Sequence, residues 1–380
     1  MLDSLYVYNF RIFDKLTIKR LGKVNLIVGK NNSGKSCLLE ALRVYARNAS
    51  PALLYDLVKQ RGEDWEVETS EDDLLVREIE NPIRYLFHGY HFPGFGGTLL
   101  EIGPLDNERD RIKLYIRPYQ YIETEEGHRK RVLVDQQDLT DDLEGIERVI
   151  TLEQNGGSRR LILLDRDFIR RNTATSRFRP LQSTSDTRAK LDVQFVPTKH
   201  MSSKHVGVLW DEINTRPTLR KKVFRALQLI DSDIREVVLI GQGRNRNSPI
   251  LLYENGNRLP IGSLGDGTIH LFHIILALVN ARDGLLLIDE FENGLHYLVQ
   301  PKVWGLIFEL AETLNVQVFA TTHSWDCVGG FQQATRQRDT KAMLVHLGHS
   351  VMESEQGRIV ATTYDNEELQ MATRTGLELR

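Results

Sequence analysis

The sequence predicts an α/β fold with a mainly parallel core sheet, interrupted by an antiparallel, β-rich segment. Strand patterns alternate with helix patterns near both ends of the chain, whereas short strands follow one another in the middle. In addition, residues 284–290 begin as a continuous apolar run, which is typical of a strand buried on both faces of a parallel sheet. We therefore predict a discontinuous α/β domain at residues 1–50 and 190–380, with an inserted helical and β-rich subdomain at 51–189.

A glycine-rich segment, Gly29–Ser36, matches the pattern G-x-x-x-x-G-K-[ST] in full. It follows an apolar strand pattern and precedes a helix pattern, so its backbone N–H groups are expected to surround a phosphate at the positive end of a helix. We therefore predict a P-loop nucleotide site for ATP, in which Lys35 contacts the β- and γ-phosphates and Ser36 binds Mg²⁺. The predicted nucleotide-binding residues of this segment are Gly29, Asn31, Asn32, Ser33, Gly34, Lys35, Ser36 and Cys37.

Two carboxylates, Asp289 and Glu290, end the apolar run. Parallel α/β sheets bind their ligands at the carboxyl ends of the strands, so both side chains are expected to face the nucleotide. Asp289 is expected in the Mg²⁺ shell, and Glu290 is expected to polarise the attacking water. The alternative is an ordinary buried strand whose acidic residues cap the next helix.

The composition is that of an ordinary globular protein, with 380 residues, 41% of them hydrophobic and 27% charged, and a net charge of -3. Such a chain has no global basic field to attract nucleic acid, so DNA contact would need a local patch. Two cysteines are too few for a disulfide framework or a cysteine-based zinc site. The sequence has no membrane-length apolar run and no signal-peptide pattern, so we expect a cytoplasmic protein without membrane contact.

The other elements follow from local periodicity and from turn residues. The predicted strands are residues 5–10, 15–20, 23–28, 98–102, 111–116, 148–153, 192–196, 236–240, 249–253, 316–320, 343–346 and 358–361. The predicted helices are residues 36–48, 64–79, 203–214, 217–230 and 367–375, with two more around residues 271–278 and 301–314. Arginines are concentrated between residues 159 and 180, where they either contact nucleic-acid phosphates or belong to a solvated linker.

Two more segments complete a recognisable order of motifs. Residues 263–268 read Ser-Leu-Gly-Asp-Gly-Thr before a helix, and residues 320–324 read Ala-Thr-Thr-His-Ser at the end of a strand. A phosphate loop, a glycine-rich signature, an Asp-Glu strand and a strand ending in histidine occur in the same order in ABC-type ATPase heads. The chain resembles the SMC, RecF and OLD branch of these heads and their stand-alone relatives, over residues 1–50 and 190–335.

This resemblance implies an ABC-type ATPase head with an antiparallel β lobe, and a head-to-head homodimer or higher homo-oligomer that encloses two ATP molecules with Mg²⁺. It implies that residues 292–296 cross the dimer interface. It also implies residue roles: Ser263, Gly265 and Gly267 contact the nucleotide of the partner chain, Lys35 and Glu290 are catalytic with Glu290 as general base, and His323 senses the γ-phosphate. The alternatives are a simple tight turn at residues 263–267 and a helix-capping histidine at 323.

Two features of this family can be assigned only to candidate residues in this sequence. Gln120 and Gln194 are the candidates for the glutamine that links the lobes, and Arg11 and Phe13 are those for the adenine contact. The signature also differs from the Leu-Ser-Gly-Gly-Gln sequence of other ABC-type heads, and no long coiled-coil segment interrupts this head.

Stand-alone heads of this kind resemble the ATPase half of two-gene anti-phage systems. The resemblance therefore implies a switch whose state is read by a separately encoded effector, such as a Toprim-type nuclease. No Asp-x-Asp cluster follows the helix after His323, so the chain itself is not expected to be a nuclease. The alternatives are a DNA-repair head that binds DNA directly, the nucleotide-binding subunit of a transporter, and an ATP-binding protein without hydrolysis.

Overall fold

The computed structural model describes residues 1–64, 81–123, 129–135, 145–154, 157–164, 189–242, 245–336, 340–350, 352 and 357–374. The predicted helix at 64–79 and the arginines at 166, 170, 171, 177 and 179 therefore lie outside the described residues, apart from residue 64 itself. The chain divides into two compact units: the first comprises Met1–Asp3, Ile18–Leu39 and Leu191–Arg380, and the second comprises Ser4–Thr17 and Glu40–Lys190.

The strands and helices are numbered in chain order. The strands are β1 Leu5–Phe10, β2 Phe13–Ile18, β3 Val24–Val28, β4 Thr98–Gly103, β5 Ile112–Glu123, β6 Arg129–Leu133, β7 Glu147–Gln154, β8 Gly157–Leu163, β9 Val193–Val196, β10 Ile234–Gln242, β11 Asn245–Tyr253, β12 Arg258–Pro260, β13 Leu285–Ile288, β14 Gln317–Thr321, β15 Ala342–His349 and β16 Ile359–Tyr364. The helices are α1 Lys35–Ala46, α2 Pro51–Gln60, α3 Ser203–Asn214, α4 Pro217–Leu227, α5 Asp266–Asn280, α6 Gln300–Thr313, α7 Trp325–Thr335 and α8 Asn366–Arg374.

The first unit contains a six-stranded sheet in the order β16-β15-β3-β14-β13-β9. The ladders that join β15, β3, β14, β13 and β9 are parallel, and only the edge strand β16 is antiparallel to its neighbour. Because β3 and β13 lie on either side of β14, the loops that follow these strands leave the same edge of the sheet. The same unit holds a small antiparallel sheet of β10, β11 and β12.

Aromatic side chains fix the segment that follows β13 in the core of the first unit. Phe291 is fully buried and stacks on Trp304 of α6, with ring centroids 3.9 Å apart. Trp304 in turn meets Phe331 of α7 edge to face at 5.0 Å. Burial of one such ring stabilises a protein by about 1.5–3 kcal/mol. The residue directly after Glu290 is therefore held in place by the core.

The second unit is built on a seven-stranded sheet in the order β2-β1-β4-β5-β7-β8, with β6 paired to β5. Residues 4–17 and 40–50, which the sequence assigns to the α/β domain, group with this unit. The reason is that β1 pairs with β4 of the inserted segment, where Tyr6 lies opposite Gly103. Residues 51–60, for which no helix is predicted, form α2, and Pro51 occupies its first turn, where the missing N–H costs little.

Among the described residues, no helix combines the length and the apolar character that spanning a membrane requires.

Candidate active site

The phosphate loop connects β3 to α1, and its shape requires glycine. Gly29 has φ +148° and Gly34 has φ +92°, conformations that L-residues with side chains rarely adopt. A Cβ atom at Gly29 would lie 2.6 Å from Ser33 Oγ and would also collide with the carbonyl oxygen of Leu347. The Ser33 hydroxyl is itself buried, and it has no hydrogen-bond partner among the described residues. The loop is thus a narrow, polar cradle at the start of a helix.

Lys35 is held against this loop. Its side chain is buried, and Nζ donates to the carbonyl oxygens of Gly29 at 2.7 Å and Lys30 at 2.9 Å. Burial lowers the pKa of Lys35, and the nearby carboxylates of Asp289 and Glu290 oppose that shift. The lysine therefore brings a positive charge to the loop and to the acidic end of β13.

Three hydroxyl groups converge on the carboxylate of Asp289, which follows β13. Ser36 Oγ lies 3.1 Å from Oδ1 and 3.3 Å from Oδ2. Thr321 Oγ1, at the end of β14, donates to Oδ1 at 2.8 Å, and Thr198 Oγ1, just beyond β9, donates to Oδ2 at 3.2 Å. These groups meet because the parallel strands end at one edge of the sheet. The predicted pair of Ser36 and Asp289 is brought together, and two threonines outside the predicted set join it.

Glu290 adopts φ +54°, a left-handed conformation that is uncommon for a residue with a side chain. Its N–H donates to Thr321 Oγ1 at 2.9 Å, and its Oε1 lies 3.9 Å from His323 Nε2. Both side chains are about two-fifths exposed, at 41% and 40%. Burial and the neighbouring Asp289 raise the pKa of Glu290, whereas His323 and Lys35 act in the opposite direction. The geometry places an accessible carboxylate beside a histidine at the mouth of the phosphate loop.

The loop after β13 connects these groups to other parts of the unit. Glu292 Oε1 accepts a hydrogen bond from the backbone N–H of His323 at 2.7 Å. The side-chain amide of Asn293 donates to the carbonyl oxygen of Thr198 at 2.8 Å. At Gly294 the chain makes close backbone contact with Gly267, so that a Cβ atom at either glycine would collide with the other.

Residues 263–267, here called the signature turn, lead from a 3₁₀ turn at Ile261–Leu264 into α5. Ser263 and Gly265 are exposed, and Gly265 has φ +90°. In the described part of the chain, no hydrogen bond or ion pair joins the signature turn to the phosphate loop. Gly267 differs from Ser263 and Gly265 because its backbone packs against Gly294. Packing alone therefore requires glycine at position 267.

Two histidines of α5, His270 and His273, are buried beside the site and belong to no predicted motif. Burial lowers the pKa of His270 to about 4, while hydrogen bonding to the backbone of Phe291 and Glu290 opposes the shift. Burial also lowers the pKa of His273 to about 3, and its Nδ1 accepts a hydrogen bond from the N–H of Met201 at 3.4 Å. Helical periodicity could have predicted that both histidines lie on the apolar face of α5. It could not have predicted their hydrogen bonds to backbone groups of other elements.

The remaining predicted residues lie as follows. Asn31 and Asn32 are exposed on the phosphate loop, and the Cys37 side chain is buried. Arg11 and Phe13 are buried in the second unit, where the Arg11 guanidinium pairs with Glu40 and Glu63, and their contact with adenine stays a prediction. Gln194 lies within β9 opposite Leu286, not at its end, and Gln120 lies on β5 of the second unit.

The residues of this site fit a Mg²⁺-bound nucleotide. Magnesium prefers oxygen ligands and uses only one or two protein carboxylates together with substrate phosphates. The hydroxyl of Ser36 beside the carboxylate of Asp289 is such a donor pair, and the cradle at Gly29 together with the unpartnered Ser33 hydroxyl suits a phosphate. Within the described residues, no group of three or more His, Cys, Asp or Glu side chains could hold a metal ion by itself.

The chain is similar in sequence to known proteins. A family model described as "AAA domain, putative AbiEii toxin, Type IV TA system" matches residues 24–326. An ATP/GTP phosphatase of Helicobacter pylori is 22% identical over 364 residues, which cover 89% of this chain and 90% of that protein. An uncharacterized protein of Methanocaldococcus jannaschii is 32% identical over 94 residues, which cover 23% of this chain and 42% of that protein.

A likeness to a solved structure extends over almost the whole chain. A head domain of Smc, solved with the C-winged helix domain of ScpA, is similar with a TM-score of 0.50 and 12% identity. The match covers 97% of this chain and 99% of that chain. This likeness shows the fold, and it confirms the predicted α/β fold of an SMC-like ABC-type head.

Proposed function

This chain belongs to that AAA-domain family and is a P-loop ATPase, and we propose that it works as a switch that two copies form by closing around ATP. The observation that carries the proposal is the meeting of Lys35, Ser36, Asp289 and Glu290 at one edge of the sheet. The exposed signature turn in the same unit supports closure by two copies. It presents N–H groups at the start of a helix, and in the described residues these groups make no hydrogen bond to the phosphate loop of the same chain.

In the proposed reaction, the phosphate loop and Lys35 bind the triphosphate of ATP through N–H groups and one ammonium group. Ser36 and Asp289 would hold Mg²⁺, which would supply positive charge to neutralise the phosphate oxygens. The Glu290 carboxylate orients the water that attacks the γ-phosphorus and accepts its proton, while the bond from that phosphorus to the bridging oxygen breaks and ADP leaves. The raised pKa of Glu290 favours its role as the base. His323, beside Glu290, donates to the γ-phosphate.

The proposed dimer places the signature turn of each chain on the nucleotide of the other, so that Ser263 and Gly265 complete the partner's site. The exposed side chains of Tyr297 and Leu298 support an interface here, because they follow the loop that packs on Gly267. Large exposed apolar groups of this kind are enriched in protein interfaces. Closure would therefore depend on ATP, and hydrolysis would open the dimer.

The proposed output is control of a separately encoded effector in an anti-phage or toxin–antitoxin setting. The family description supports this setting, since it names a toxin of a type IV toxin–antitoxin system. The fold likeness to an Smc head that binds a winged-helix domain supports a partner protein on the head. Direct DNA contact through the arginines between residues 159 and 180 is the alternative proposal, and most of these arginines lie outside the described residues.

The proposal is tested by the mass of Glu290→Gln with and without ATP and Mg²⁺. The substitution keeps the shape of the site but removes the proposed base, so ATP should remain bound and hold a dimer. Light scattering is expected to report about twice the monomer mass with Mg-ATP and the monomer mass without it. Glu309→Gln, at an exposed position of α6, is the matched control and should behave as the wild type. A mass of Glu290→Gln that does not respond to nucleotide would contradict the proposed switch.

A further inference from the structure

Thr198 lies outside every motif of the sequence, yet its two polar groups join different parts of the site. The residue follows Pro197 at the end of β9, the sheet neighbour of β13. Its hydroxyl donates to Asp289 Oδ2 at 3.2 Å. Its carbonyl oxygen accepts from the Asn293 amide at 2.8 Å. One half-buried residue therefore contacts both the carboxylate proposed to hold Mg²⁺ and the loop at residues 292–296.

The need for this contact follows from the demands on Asp289. A carboxylate that holds a metal is kept in place by hydrogen bonds from outer groups, and losing one of these costs about 10- to 100-fold in metal affinity. In the proposed function the Ser36 oxygen is engaged by the metal, which leaves the hydroxyls of Thr198 and Thr321 to orient Asp289. Thr321 is buried within β14, and its hydroxyl also accepts a hydrogen bond from the N–H of Glu290. Its position is therefore fixed by the sheet.

Thr198 differs from Thr321 because it is connected to a surface loop. Asn293 is exposed, and the next residue, Gly294, packs directly on Gly267 of the signature turn. A continuous series of contacts thus runs from Asp289 through Thr198 and Asn293 to the signature turn. Each contact lies within the first unit.

We propose that Thr198 is a positioning residue that couples metal binding at Asp289 to the conformation of the 292–296 loop. The inference rests on the proposed function, since it assumes Mg-ATP at Asp289. Coupling of this kind is reciprocal: an ordered loop strengthens metal binding, and bound metal orders the loop. If the Thr198 hydroxyl only filled space, its removal would change neither metal binding nor the order of the loop.

The test uses Thr198→Val, which removes the hydroxyl but keeps the branched shape, and Thr198→Ser as the matched control that keeps the hydroxyl. Both are made in the Glu290→Gln protein, so that hydrolysis does not interfere. The first readout is the Mg²⁺ concentration for half-maximal thermal stabilisation by ATP. The second is amide hydrogen exchange of residues 292–296 with and without Mg-ATP.

We expect Thr198→Val to raise the half-maximal Mg²⁺ concentration by about tenfold or more and to lose the protection of the loop at saturating Mg²⁺. Thr198→Ser should stay within about threefold of the parent, because the hydroxyl is retained. Asn293→Ala should lose the loop protection with a smaller change in the Mg²⁺ requirement, since Asp289 keeps its hydroxyl donors.

If Thr198→Val shows the same Mg²⁺ dependence and the same loop protection as the Glu290→Gln parent, the inference is overturned. The proposed function is not affected by that result. Absence of any Mg²⁺-dependent stabilisation in the Glu290→Gln parent would instead reject the proposed function. If Thr198→Val does not fold, Asn293→Ala carries the test, and loop protection retained in that variant would overturn the coupling.

Discussion

The first unit contains two glycine-rich turns that each open a helix, and they differ in how they use the chain around them. The phosphate loop encloses its own lysine, and Ser36 at its end contacts Asp289. The signature turn keeps Ser263 and Gly265 exposed, whereas Leu264 packs on the hydrophobic core and Gly267 packs on the Gly294 backbone. The difference teaches that the phosphate loop is held by contacts within one chain, whereas the signature turn leaves Ser263 and Gly265 accessible to a binding partner.

The largest expected effect is that of Lys35→Ala on the phosphate loop. Losing the ammonium group removes a positive charge from the bound phosphates, so kcat/KM for ATP should fall by about 10²- to 10³-fold. ATPase assays on Lys35→Ala and on Lys30→Ala, whose side chain is exposed on the same loop, measure this directly. Equal activity of the two variants would contradict the role of Lys35.

A smaller effect is expected for Gly267→Ala in the signature turn. The added Cβ would collide with the Gly294 carbonyl oxygen, and overpacking of this kind costs about 1–3 kcal/mol. Gly262→Ala is the matched control, because its nearest neighbour would be Ile269 Cδ1 at 3.8 Å. Thermal unfolding midpoints should fall for Gly267→Ala and stay nearly unchanged for Gly262→Ala. The reverse order would show that the two loops are not packed as described.

The smallest effect concerns the pH dependence of stability through His273 of α5, the helix that the signature turn begins. The folded pKa of about 3 is below the unfolded value of about 6.5. The unfolded chain therefore binds the proton first, so this contribution to stability is full above pH 6.5 and decreases as pH falls toward 3. One pH unit below the unfolded pKa, the loss is at most about 1.4 kcal/mol.

Unfolding midpoints measured between pH 7 and pH 5 test this contribution. His273→Gln should lose less stability on acidification than the wild type, since glutamine does not titrate. His349→Gln, at an exposed end of β15, should retain the wild-type slope. A wild-type slope in His273→Gln would show that another group carries the acid sensitivity.

Local patterns were enough to predict the parts of the site that lie within one stretch of chain. Gly29–Ser36 and the strand that ends at Asp289 each carry their signal in adjacent residues, and the structure brings them together. The bounds of α3 at Ser203–Asn214 also agree with the predicted helix, because its apolar periodicity is regular.

Contacts between distant elements could not be predicted in this way. Thr198 and Thr321 join Asp289 only because β9 and β14 both flank β13, and neither residue belongs to a motif that specifies this neighbour. The same holds for the packing of Gly267 on Gly294 and for the pairing of β1 with β4. Such contacts depend on sheet order and register, which a single sequence does not specify.

The two turns are compared most directly by mixing two inactive variants, Lys35→Ala and Ser263→Arg. If each site uses the phosphate loop of one chain and the signature turn of the other, a mixed dimer contains one intact site and one doubly altered site. The account predicts that either variant alone is inactive and that an equimolar mixture recovers about a quarter of the wild-type ATPase rate. A mixture as inactive as its components would contradict a site shared between two chains.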